Sequence, residues 1–93
     1  MKTIKVKQKD LDTKIEEICS RSELTIIAFQ RTFDIGFGAA GYVTDGAIAR
    51  GLIKDAANDV QFRYQYKVLD PEGLKAYLRE TLAKPIPKSQ FQG

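Results

Sequence analysis

The residues of this chain with chemistry to offer are mostly cations. Arg31, Arg50, Lys54, Arg63 and Lys67 are spread through its middle. Side chains of this kind bind anions; they do not by themselves catalyse anything. Catalytic equipment is sparse. The sequence holds no His and one Cys, Cys19. A structural zinc site needs about four ligands, mostly Cys or His, and is excluded on that count. Serine–histidine and cysteine–histidine catalysis have no base to use. Asp and Glu are scattered over helix starts and turns, and no Gly-rich phosphate loop ending in Lys-Ser/Thr is present. A non-enzyme without a cofactor is expected, with Cys19 a core thiol.

Fifteen basic residues against twelve acidic give a net charge of +3, a mild lean toward polyanionic partners. The length of 93 residues predicts one domain. No apolar stretch approaches the ~20 residues that cross a bilayer. Lys2, Lys5, Lys7 and Lys9 interrupt any signal-like segment, so a cytoplasmic location is expected.

Four helical patterns and an alternating strand must position these cations. Ile4 and Val6 alternate with Thr3, Lys5 and Lys7, as in a short strand. Leu11, Ile15, Ile18 and Cys19 make one apolar helical stripe, with Asp10 or Asp12 able to cap its start and Arg21 near its end. Glu23–Ile27 is ambiguous, its β-branched residues favouring a strand. Ala28–Phe33 is predicted helical. A tight turn follows over Asp34–Phe37, with Gly36 expected at positive φ, and then a helix to Arg50 closed by Gly51. From Val60 to Leu69 apolar and polar residues alternate, predicting a long strand that needs two neighbours. One neighbour is the short segment after Gly51; Thr3–Lys7 is expected to be the other. Asp70-Pro71-Glu72 starts a last helix, lined by Leu74, Tyr77, Leu78 and Leu82. Pro85 and Pro87 stop it, leaving residues 85–93 as a flexible tail beyond one domain over 1–84.

Helix, strand, helix, turn, helix and hairpin, in that order, predict an α+β winged helix-turn-helix: three helices, a small antiparallel sheet and an additional C-terminal helix. The sequence Phe29-Gln30-Arg31-Thr32-Phe33-Asp34-Ile35-Gly36-Phe37-Gly38-Ala39-Ala40 resembles the (V/L)QRxFxIGYxxAA signature of the γ domain of FtsK, the bacterial chromosome translocase. The resemblance runs on through Gly51-Leu52-Ile53 and back to the first helix, covering roughly residues 10 to 69. Phe29, Phe33, Ile35 and Phe37 are expected as core pegs of that scaffold.

The resemblance implies duplex DNA docked on the third helix and the wing. The family's base-reading positions, typically Asn and Arg, match Gly38, Ala39 and Tyr42 here, and Gly and Ala cannot make the usual bidentate base contacts. Recognition of the family's G-rich sequence is therefore not implied. What remains on the third helix's outer face is expected to be Gly38, Ala39, Tyr42, Asp45, Gly46 and Ala49. Two functions follow as expectations. The first is duplex DNA binding without base reading, through Arg31, Gly38, Ala39, Tyr42, Arg50, Lys54, Arg63 and Lys67, with Lys5, Lys7 and Lys9 as a further basic arm. The other is a protein-interaction module, using the smooth third helix or a homodimer through the C-terminal helix. The plain structural alternative leaves Arg63 and Lys67 as the solvated face of a strand.

Overall fold

The computed structural model describes residues 3–56 and 65–87. Helix α1 (Leu11–Cys19) buries Leu11, Ile15, Ile18 and Cys19, the stripe its spacing predicts. Asp10 stands at its N-cap with φ 57°, but its side chain makes no capping bond. The last helix, α4 (Pro71–Leu82), begins with the expected cap: the Gly73 N–H donates to Asp70 Oδ1 at 3.0 Å. It packs on α1, and Lys75–Glu16 at 3.1 Å and Arg79–Asp12 at 3.3 Å pair across the outside of that contact. Leu74, Tyr77, Leu78 and Leu82 are all buried within the single chain.

Helix α2 (Ile26–Phe33) starts two residues before the expected Ala28. The cause is Thr25, whose Oγ1 accepts the Ala28 N–H at 3.2 Å and turns a β-branched run into a helix start. The helix ends at Asp34, which takes the left-handed conformation with φ 54°. Gly36, expected there, has φ −75°. Asp34 is held by Lys7, its carboxylate 2.6 Å from the ammonium. Phe29, Phe33 and Ile35 are core residues as expected, whereas Phe37 is 38% exposed. It sits at the first position of helix α3 (Phe37–Ala49).

The inner arc of α3 is Ala39, Ala40, Val43, Thr44 and Ala47, the small residues letting α2 come close. Buried Thr44 satisfies its hydroxyl by donating to the Gly41 carbonyl at 3.1 Å. Gly46 has a specific reason to lack a side chain: a Cβ there would collide with the Tyr77 hydroxyl. That hydroxyl donates to the Val43 carbonyl at 2.8 Å and fastens α4 to α3. Gly51, at φ 72°, ends the helix in the left-handed conformation its position predicts.

Three strands, β2 (Glu23–Thr25), β3 (Ile53–Asp55) and β4 (Gln65–Val68), form an antiparallel sheet in the order β2-β4-β3. The second neighbour of β4 is thus Glu23–Thr25, not the N-terminal segment. Thr3–Ile4 (β1) instead pairs with Ile86–Pro87 (β5) in a separate two-stranded sheet. Ile86 is buried, so the last described residues are docked rather than a free tail. The expected strand start, Val60–Tyr64, and Lys88–Gly93 lie outside the described residues. Among the described residues the chain is an α+β fold of four helices and two small antiparallel sheets around one core.

Candidate nucleic-acid interface

Strand alternation decides which side chains of the three-stranded sheet face out. Leu24, Ile53 and Tyr66 turn inward and are buried. The outward row is Glu23, Lys67 and Lys54: Glu23 stands opposite Lys67, and Lys67 opposite Lys54. Both lysines are exposed, and neither forms an ion pair among the described residues. Like charges placed directly opposite each other across a strand pair repel. Together with Arg21, Thr25, Glu23 and Asp55 they line a concavity of about 590 Å³. Arg21 is tied to Glu17 at 3.2 Å and still borders this hollow. Ala28 of α2 closes one side, and exposed Arg31 follows it by one helical turn on the same face.

Helix α3 presents a different surface. Gly38 is half-buried and Tyr42 exposed, but Ala39 is buried against the core and cannot be a contact residue. Ala39 shares its arc with Val43 and Ala47, so the helical repeat turns it inward. Gly46 is likewise not open outer surface, because Tyr77 covers it. No Lys or Arg occurs between Phe37 and Ala49, and exposed Asp45 is the single charge. Its carboxyl is pushed up by desolvation.

Arg50 does not join the sheet cations either. Its guanidinium lies 4.7 Å from the centre of the Tyr77 ring, and Nη1 donates to the Gly46 carbonyl at 3.0 Å. It belongs to a separate groove of about 270 Å³ between α3 and α4, shared with Tyr42 and Lys84. The eight sequence-derived site residues therefore divide. Lys54 and Lys67 meet, with Arg31 one turn from their hollow. Tyr42 and Arg50 meet elsewhere; Gly38 stands at the start of α3, and Ala39 is core. Arg63 lies outside the described residues. Of the N-terminal lysines, Lys7 is engaged by Asp34, whose hydrogen bond and charge hold the ammonium pKa above its ordinary value. Arg21's place in the hollow had no sequence signal, since an arginine two residues past a helix reads as a helix-end charge.

Among the described residues no three His, Cys, Asp or Glu side chains group as a metal site, and no helix is long and apolar enough to cross a membrane. Burial pushes the Cys19 thiol up to about 11, leaving it protonated and unreactive at neutral pH. Comparison of the chain with protein-family models, curated proteins and solved structures finds no match.

Proposed function

We propose that this chain is a winged-helix module, related to the γ domain of FtsK, that binds duplex DNA through its phosphates and without reading bases. The strand order β2-β4-β3, with α2 and α3 between the first two strands in sequence, supports the winged-helix reading. On this reading β3 and β4 flank the wing.

The observation that carries the DNA reading is the opposed pair Lys54 and Lys67 on an exposed, concave sheet face. A phosphate between the two ammonium groups relieves their repulsion and gains two charge-assisted hydrogen bonds. Arg21 and Arg31 are near enough in the fold to extend the contact along a backbone. Glu23 and Asp55 share the lining, so phosphate contacts are few and binding is weak and salt-sensitive. The third helix contributes no base reading, since Gly38 and Tyr42 replace the family's polar readers and Ala39 is buried.

The test is a titration of a labelled duplex of mixed sequence. A dissociation constant in the micromolar range at ~50 mM salt, weakening at least tenfold at ~200 mM, is expected for two or more phosphate contacts. Affinity weaker than millimolar at the lower salt rules the reading out. A second reading, a protein-interaction winged helix, has its own observation, the exposed side of α3.

A further inference from the structure

Five large apolar side chains are conspicuously exposed among the described residues, and three of them, Phe37, Tyr42 and Ile48, belong to α3. Phe37 and Ile48 are each 38% exposed and Tyr42 46%. By helical spacing Ile48 lies three turns from Phe37 on one edge of the outer arc, with Tyr42 on the other. Gly38, Gly41, Asp45 and Ala49 lie between them, with Gly41 buried below the level of its neighbours' side chains. The result is a smooth apolar strip with one carboxylate near its middle and no cation along Phe37–Ala49. Asp45 forms no ion pair among the described residues.

This composition selects among occupants. A nucleic-acid backbone would meet Asp45 with repulsion and find no cation on the helix in return, while Arg50 and Lys84 at its border are held by Tyr77 and Glu80. An anionic lipid surface fails for the same reason. A second copy of the chain, arranged about a two-fold axis through the strip, would bring the two Asp45 carboxylates together. A cationic apolar partner meets neither objection. Gly38 and Ala49 project little beyond the backbone and leave room for its helix to approach, as small residues do at close helix crossings.

We propose that the outer strip of α3 docks an amphipathic helix of another protein, one that presents apolar residues around a single Lys or Arg placed against Asp45. Apolar area supplies the affinity, and the Asp45 pair fixes register and rejects acidic competitors. This deepens the second reading above and is independent of the basic sheet face. The chain would then join a protein on one side to DNA on another.

The test is selection of peptides from a random helical display library on the folded protein, followed by titration of the selected sequences. Selected peptides are expected to carry apolar residues at helical spacing and one central Lys or Arg. On Asp45→Lys their affinity should fall about tenfold or more, and exchanging the peptide's base for Glu should restore it. Tyr42→Ala with Ile48→Ser should abolish binding while leaving the circular dichroism spectrum unchanged. The proposal is overturned if no peptide is enriched, or if the enriched ones lack a base or bind Asp45→Lys equally well. It is also overturned if sedimentation equilibrium shows a dimer that Tyr42→Ala dissociates. Duplex affinity, measured in parallel, is expected to be unchanged by Tyr42→Ala with Ile48→Ser, which separates failure here from failure of the DNA reading.

Discussion

The outer face of the β2-β4-β3 sheet and the outer face of α3 belong to one small core but carry opposite chemistry. The sheet sets Lys54 against Lys67 with Arg21 beside them. The helix carries Tyr42, Ile48 and Asp45 and no cation. A protein that reads bases with a helix needs polar or cationic side chains on that helix as well as on the neighbouring sheet. Here the cation at the end of α3, Arg50, is drawn onto the Tyr77 ring and away from the sheet. Two faces of one small core can thus carry different chemistry, and each partner has to be argued from the residues of its own face.

Reversing the sheet charges should separate the two faces most strongly. Lys54→Glu with Lys67→Glu should cost about a hundredfold or more in duplex affinity at ~50 mM salt, because attraction at two phosphates becomes repulsion. Both side chains are exposed, so thermal stability should hardly change. Tyr42→Ala with Ile48→Ser should alter duplex affinity less than twofold. Were the helix variant the more damaging, the two faces would have been assigned the wrong way round.

Next in size is Gly46→Ala. Helix propensity alone predicts a gain of ~1 kcal/mol. The Tyr77 hydroxyl occupies the place of the new methyl, so a net loss of ~1–3 kcal/mol is expected from urea unfolding. Because α4 must shift on α3, the helix face should change while the sheet face keeps its duplex affinity. Thr25→Ala should act on the other region. It removes the α2 cap, costing ~1 kcal/mol in the same assay, and loosens the start of α2 beside β2.

The smallest effect concerns Lys7 and Asp34, which anchor the N-terminal segment outside both faces. The Lys7 hydrogen bond and charge hold the Asp34 carboxyl below its ordinary 3.8. A depressed carboxyl contributes stability that is present above 3.8 and lost as pH falls through the lower folded value. The Lys7 pKa is raised above 10.5, so its share is present below that value and lost as pH rises through the folded one. The difference in melting temperature between the parent chain and Lys7→Ala should therefore be small near neutrality and vanish in strong acid. A difference that grows on acidification would contradict the pairing.

Much of this fold was legible in the sequence because long helices repeat their signal. Leu11, Ile15, Ile18 and Cys19, and Leu74, Tyr77, Leu78 and Leu82, are buried as their spacing requires. Short elements were less legible. Glu23–Thr25 has three residues, too few for alternation to show, and its last residue doubles as a helix cap. Ile86 lies between Pro85 and Pro87, which signal a helix stop, and only the pairing of Ile86–Pro87 with Thr3–Ile4 makes it a strand. At the turn before α3, Gly36 attracted the expectation of positive φ, but the Lys7 contact accompanies that conformation at Asp34 instead. The site was half legible for the same reason. Lys67 could be placed on an outer strand face by alternation, while its pairing with Lys54 depended on register, and Ala39 was misplaced by about a quarter-turn of helix.

Phosphate contact by the opposed lysines should show in the salt dependence of duplex binding, compared between the parent chain and Lys54→Ala with Lys67→Ala. Each phosphate contact adds about 0.9 to the slope of log affinity against log salt. The double variant should therefore bind more weakly to every sequence, with the slope shallower by about 2. An unchanged slope at unchanged affinity would place the DNA elsewhere on the molecule or nowhere on it.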